Sequence, residues 1–267
     1  MQPTRYSING SRYYLTDKDG IAYPSVTTIL SKTATANSKK ILENWNRRNP
    51  GMKEKAAIRG SAIHEQAERY LRNFKLAPMH EEHAPFWEGM PFHLDKVDEL
   101  LWSERAVPIE HQKITKAPDD MSRIWSHRFK YAGTPDLVYR KNGRVVMGDY
   151  KTSNTPYCRY YPREKEMKKH WGGWSKFVKC ATQLGGYAIA YEETLGVHVD
   201  ATQIIVSTTD TTQNFYIQGR ELEKFKTRWL QRVHHYWQII AEEEQDAIAA
   251  EWTGGSGLRP CVALAAA

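Results

Sequence analysis

Cysteine is scarce. Three occur in 267 residues, Cys158, Cys180 and Cys261, odd in number and far apart. That excludes a disulfide framework and paired CxxC metal ligands, and it fits a reducing compartment. Long apolar runs are missing as well: nothing approaches the roughly 20 residues of a membrane-spanning helix, and residues 1–20 are polar rather than signal-like. The expectation is therefore a cytoplasmic or nucleoid protein without a membrane partner. No GxxxxGK[ST] phosphate loop occurs, so no nucleotide cofactor and no fused motor is expected. Acidic residues are in deficit, 31 against 38 Lys plus Arg, which gives a net charge of +7 and a pI near 9.1. A hydrophobic content of 40% still suffices for a core, and 26% charged residues match an ordinary folded surface.

The basic surplus is segregated. Residues 1–180 hold 32 Lys plus Arg and 20 Asp plus Glu, a balance of +12, whereas residues 181–267 hold 6 and 11, a balance of −5. A basic body of this kind points to a polyanion, with phosphate backbones the commonest. The acidic C-terminal part is expected to face away from such a partner.

Along the chain, Tyr13–Leu15 and Ile21–Tyr23 around Asp17-Lys18-Asp19-Gly20 predict a hairpin. Ser25 predicts a cap for a short helix over 26–30, and Ser38 a cap for a helix that stops at Asn49-Pro50-Gly51. In residues 52–74 Ile63, Ala67, Tyr70, Leu71 and Phe74 recur at helical spacing, and residues 92–102 read as another helix after a Pro- and His-rich loop. Strand composition marks 106–110, 123–131, 134–140 and 144–150, with Lys141-Asn142-Gly143 as a hairpin turn. A helix over 174–195, strands over 203–208 and 214–218, and an amphipathic helix over 221–250 follow. The fold expected is α/β, a mixed central sheet with helices on both faces. Its single domain spans 1–253: a helical N-terminal part over about 24–102, a sheet over about 104–218, a C-terminal helix over about 219–250, and a disordered tail over 254–267.

Chemistry concentrates at the ends of two hairpin strands. Asp136 follows Gly133-Thr134-Pro135, and Asp149 lies in Val145-Val146-Met147-Gly148-Asp149-Tyr150-Lys151-Thr152. A strand's period of two sets Asp149 and Lys151 on one face and Tyr150 on the other. An acidic-x-Lys pattern alone says little, since about two are expected by chance and Glu166-Met167-Lys168 is another; the apolar strand before Asp149 distinguishes it. Two readings stay open at this point, an ion pair at a strand end and a reactive pocket. On neighbouring helices His64 and Glu68 stack four apart, as do Gln183 and Tyr187, with Gly185 and Gly186 leaving room for a strand or a substrate.

Together, Gly60-Ser61-Ala62-Ile63-His64, Gly133-Thr134-Pro135-Asp136, Asp149-Tyr150-Lys151-Thr152 and Gln183-Leu184-Gly185-Gly186-Tyr187 resemble, in order, the marks of the RecB-type branch of the PD-(D/E)xK nuclease superfamily. Residues 23–30 are similar to the opening of mitochondrial genome maintenance exonucleases and their phage-encoded relatives. The resemblance implies a restriction-endonuclease-like core and hydrolysis of DNA phosphodiesters with Mg²⁺ or Mn²⁺. It implies Asp136, Asp149, Lys151, Gln183 and Tyr187 as catalytic-site residues. His64, Asp136, Asp149 and the Tyr150 carbonyl would hold the metal, with Glu68 a further candidate, and the imidazole would tilt the preference toward Mn²⁺. Relatives with an iron-sulfur cluster use four cysteines, so none is expected here. A zinc module built on His80, His83, His93, His234 and His235 lacks cysteine partners.

Residues 157–179 interleave seven Lys or Arg with six aromatics. That composition suits a groove that tracks phosphates and stacks unpaired bases. Arg159, Tyr160, Arg163, Lys168, Lys169, Trp171, Trp174 and Lys176 are the candidates there, with Arg47, Arg48, Lys53, Lys55 and Arg59 opposite. The favoured activity is a single-strand DNA exonuclease needing a free end, acting in replication, recombination or repair as a monomer, beside a single-strand-binding or annealing protein. The alternatives are a duplex- or structure-specific endonuclease and a non-catalytic single-strand-binding protein on the same fold.

Overall fold

The computed structural model describes residues 5–8, 10–16, 21–103, 123–164 and 170–253. The chain opens with a three-stranded antiparallel sheet of β1 (Arg5–Ile8), β2 (Ser11–Leu15) and β3 (Ala22–Pro24). The expected hairpin is β2 with β3, Tyr14 opposite Tyr23; its turn, 17–20, lies outside the described residues. Ser25 caps α1 (Val26–Lys32), its hydroxyl accepting from the Thr28 amide at 3.0 Å. The cap of α2 (Ala36–Arg48) is Thr35 rather than Ser38. The hydroxyl that fits lies three residues upstream, and Ser38 supplies the amide it accepts from, at 3.2 Å. Gly51, at φ 76°, makes the corner into α3 (Met52–Leu71).

Two single-turn helices follow, α4 (Ala84–Trp87) and α5 (Pro91–Leu94), and then β4 (Glu99–Ser103). The helix expected over 92–102 therefore ends after one turn. The run Leu100-Leu101-Trp102 is instead drawn into the main sheet, with a register shift between Leu100 and Trp102; the helical spacing of Leu94, Val97 and Leu101 combines the end of α5, the turn after it and the strand. The stretch 123–131 is likewise no single strand: β5 (Ile124–Ser126) turns back through Lys130, at φ 55°, into β6 (Tyr131–Gly133). The expected hairpin of β7 (Leu137–Lys141) and β8 (Arg144–Thr152) is present, with Asn142 and Gly143 both at positive φ. Then come α6 (Trp171–Leu195), β9 (Ala201–Ser207), β10 (Thr212–Gln218) and α7 (Gly219–Thr253). The strand expected over 106–110 and the tail from 254 lie outside the described residues.

The main sheet has the order β10-β9-β8-β7-β4, with β8 and β9 parallel and the other pairs antiparallel. β8 is buried on both faces, and its side chains alternate between them. Val145 and Met147 pack with Phe177, Leu184 and Tyr187 of α6, and Val146 and Tyr150 pack with Ile63 and Ala67 of α3. The two helices thus cover opposite faces of one strand, as an α/β layer requires. α7 lies over α6, where Gly185 and Gly186 admit it: an added Cβ would stand 2.7 Å from the Phe225 carbonyl oxygen and 2.6 Å from the Trp229 ring. Those glycines make room for a helix, rather than for a strand or a substrate.

Candidate active site

β7 and β8 pair from Lys141↔Arg144 to Leu137↔Gly148, and there the pairing ends. The last residues of β8 keep β9 on one side and, among the described residues, have no strand on the other. The polar groups of Tyr150 on that open side are taken by side chains. Its amide donates to Asp136 Oδ2 at 2.9 Å, and His64 Nε2 donates to its carbonyl at 3.0 Å. His64 Nδ1 also stands 3.6 Å from Asp136 Oδ2, and its ring meets the Tyr150 ring edge-on. Asp136, the Tyr150 carbonyl and His64 therefore converge at one point on the strand edge.

Asp149 and Lys151 leave the same strand toward α6. Asp149 is fully buried, with its Oδ2 2.5 Å from Lys151 Nζ. Gln183 donates to Asp149 Oδ1 at 3.2 Å and reaches the Tyr187 hydroxyl at 3.3 Å. The Gly-x-x-Asp glycine belongs to this arrangement: a Cβ on Gly133 would collide with the Tyr187 ring and stand 3.3 Å from Val26 Cγ2. Glu68 turns away, accepting from Ser103 and pairing with Arg72.

Burial pushes the Asp149 carboxyl up to about 6, helped by the Asp136 charge and opposed by Lys151. Although burial works against its charge, Lys151 is held well above the ordinary lysine value by Asp149 and Asp136. It is a firm ammonium. Among the described residues no three His, Cys, Asp or Glu side chains form a ready metal-binding group. The donor set nevertheless fits a hard cation. Asp149 Oδ2 is buried and accepts no hydrogen bond of ordinary angle, Asp136 and the Tyr150 carbonyl add oxygens, and His64 touches both.

The basic candidates divide. Arg59 lies over the Phe86 ring at 4.2 Å and is close enough to Lys176 to lower its pKa, after burial. Lys176 donates to Ser153, just beyond β8, so these two cations from opposite faces meet at the strand's end. Arg47 and Arg48 end α2, and Lys53 and Lys55 begin α3, all exposed. Arg159 is paired with Glu221. Tyr160 and Arg163 are exposed, and Trp171 and Trp174 form an aromatic trio with Tyr161 at centroid distances of 4.9 to 5.2 Å. Tyr157 and Phe177 belong to the core instead. Lys168 and Lys169 lie outside the described residues. Sequence reasoning missed Ser153 and buried Cys180, whose thiol is 4.0 Å from the Tyr157 hydroxyl. Only nearness to Lys151 in sequence could have flagged the first.

Paired acidic strand ends beside a lysine, on a mixed sheet sandwiched by helices, define a nuclease-type core. The chain belongs to the PD-(D/E)XK nuclease superfamily, whose family model matches residues 39–261. No curated protein matches the sequence. A solved structure titled "Crystal structure of SSO0001" is similar over 84% of this chain and 79% of that chain, at 14% identity and a TM-score of 0.35. Among the described residues no helix is long and apolar enough to cross a membrane.

Proposed function

We propose that the protein is a divalent-metal-dependent DNA exonuclease of the RecB-type branch, akin to mitochondrial genome maintenance and phage-encoded exonucleases, acting on single strands with a free end. The observation that carries this reading is the meeting of Asp136, Asp149 and Lys151 at the open end of β8. Asp136, Asp149, the Tyr150 carbonyl and His64 would hold Mg²⁺ or Mn²⁺, which supplies charge neutralisation and a more acidic water. The protein's own groups do the rest. Lys151, ion-paired with Asp149, is placed to donate toward the scissile phosphate or to orient the attacking water. Gln183 fixes the Asp149 carboxylate, and the Tyr187 hydroxyl fixes Gln183. Arg59 and Lys176 add positive charge where the phosphate leaves the strand end. Support for a single strand comes from exposed Tyr161 and Trp171, which cluster with half-buried Trp174 around the start of α6.

The test is cleavage of end-labelled single-strand, duplex and closed circular DNA with Mn²⁺ or Mg²⁺. Wild type should release short products from linear single strands and leave circles intact, and Lys151→Met should cut nothing while binding normally. Normal cutting by Lys151→Met would refute the assignment of the centre, and efficient cutting of circles would refute the exonuclease reading.

A further inference from the structure

Away from the centre, on the other side of α6, a cleft of about 1300 Å³ runs between the α1–α2 corner and the N-terminal half of α7. One wall is a row. Arg220, Lys224, Arg228 and Arg232 follow one another at intervals of four residues and all line the cleft. Residues four apart share a helix face, and each step advances about 6 Å along the axis, close to the separation of successive phosphates on a stretched single strand.

Arg220, Lys224 and Arg228 are exposed, and no ion pair ties them down among the described residues. Arg232 donates to the Thr33 carbonyl, and its guanidinium is less basic than usual because of burial and the nearby Arg228 charge. Like charges thus crowd into a concavity without an acidic partner between them, an arrangement an anion would relieve. Glu221 and Glu223 also line the cleft, but Glu221 is engaged by Arg159 and Glu223 by Lys226.

The opposite wall differs in kind. An adjoining cleft of about 650 Å³ shares Lys39, Trp174, Arg228 and Arg232 with the first and continues onto Ile41, Leu42 and Trp171. These three are exposed at 59%, 58% and 47%, high for large apolar side chains. Cations in a row on one wall and aromatic and aliphatic faces on the other match a strand that carries phosphates on one edge and unpaired bases on the other. A duplex, whose bases are stacked inward, would leave the apolar wall unused.

We infer that this cleft is a track for single-stranded nucleic acid, with phosphates along Arg220, Lys224, Arg228 and Arg232 and bases against Trp174 and Trp171. The inference rests on the nuclease reading only for where the strand leads. The segment from Ser153 to Arg159 runs from the end of β8 to the cleft, so α6 is a wall common to both sites.

The test is binding, read in EDTA so that cutting does not enter. Fluorescence anisotropy is measured with a labelled single strand of about 16 nucleotides and with a duplex of the same sequence. The variant Arg220→Ala/Lys224→Ala/Arg228→Ala should bind the single strand about tenfold or more weakly near physiological salt, and its salt slope should fall by about 2. Trp171→Ala should weaken the single strand about fivefold or more and leave the duplex unchanged. Near-wild-type binding by the triple variant would overturn the inference even if wild type cuts DNA. Equal losses for the oligonucleotide and for polyglutamate, with no effect of Trp171→Ala, would also overturn it, reducing the cleft to a general anion surface. If wild type binds through the row but no preparation cuts DNA, the track stands and the nuclease reading falls.

Discussion

Substituting Gly133 by alanine tests how the centre is assembled. The added Cβ would fall inside the radius of Tyr187 Cε1, 3.1 Å from Cδ1 and 3.3 Å from Val26 Cγ2. Carbon atoms rest about 3.5 to 4.0 Å apart, so the ring must retreat by at least about 1 Å. It has nowhere easy to go, because Tyr187 is 5% exposed and its hydroxyl is engaged by Gln183. Overpacking of this kind costs about 1 to 3 kcal/mol. Tyr187→Ala alone empties a buried site, a loss of about 3 to 5 kcal/mol for a large aromatic side chain. In the double variant the methyl enters the vacated space, so the Gly133→Ala penalty should vanish and the cycle should show a coupling of about 1 to 3 kcal/mol. Equilibrium urea denaturation of the four proteins measures it. Additivity within about 0.5 kcal/mol would refute the claim that the motif glycine exists to seat the motif tyrosine.

Gly185→Ala should cost more than Gly133→Ala, because its Cβ meets the Phe225 backbone, which cannot rotate aside; a fall of about 3 kcal/mol, or roughly 6 to 12 °C in Tm, should appear by calorimetry. Thr35→Ala should lower stability by about 1 kcal/mol and Ser38→Ala by much less in chemical denaturation; the reverse order would restore Ser38 as the cap. Burial pushes the Cys180 thiol up to about 11, so at pH 8 only about one molecule in a thousand carries the thiolate. Alkylation with peptide mapping should therefore find Cys180 protected in the native protein and labelled after unfolding, whereas half-exposed Cys158 reacts in both states. Removing divalent cations with a chelator should stop DNA cutting without unfolding the chain, by circular dichroism, since Lys151 already occupies one side of Asp149.

What the sequence revealed follows from which contacts are local. Asp149, Tyr150 and Lys151 lie on a nine-residue strand whose alternation is written in consecutive residues, so their facing was legible from residue order alone. The helical face bearing Gln183 and Tyr187 was legible for the same reason. Their connections were not. Whether Gln183 would reach Asp149, and what Gly133 was for, depends on how α6 settles on the sheet. The strand over 99–103 reads as helix because Leu101 falls in helical spacing with Leu94 and Val97, which belong to the one-turn helix before it and the turn between. The row on α7 was hidden by summation. Pooled over 181–267 the charge is −5, yet the first half of the helix sets Arg220, Lys224, Lys226, Arg228 and Arg232 against Glu221 and Glu223 alone, and Glu242, Glu243, Glu244 and Asp246 fill the second.

The flank of β8 that has no strand partner among the described residues bears on how this protein should be handled. A strand edge whose amides and carbonyls lose their cover invites another chain to pair with it, and folded proteins protect such edges with charged side chains. Here the guards are Asp136 and His64, each holding one polar group of Tyr150. Substituting both to silence the centre would open a docking strip for a second molecule. Such a variant should self-associate at high concentration, visible in light scattering. Lys151→Met leaves both guards in place, which makes it the better inert control for binding studies and crystallisation with DNA.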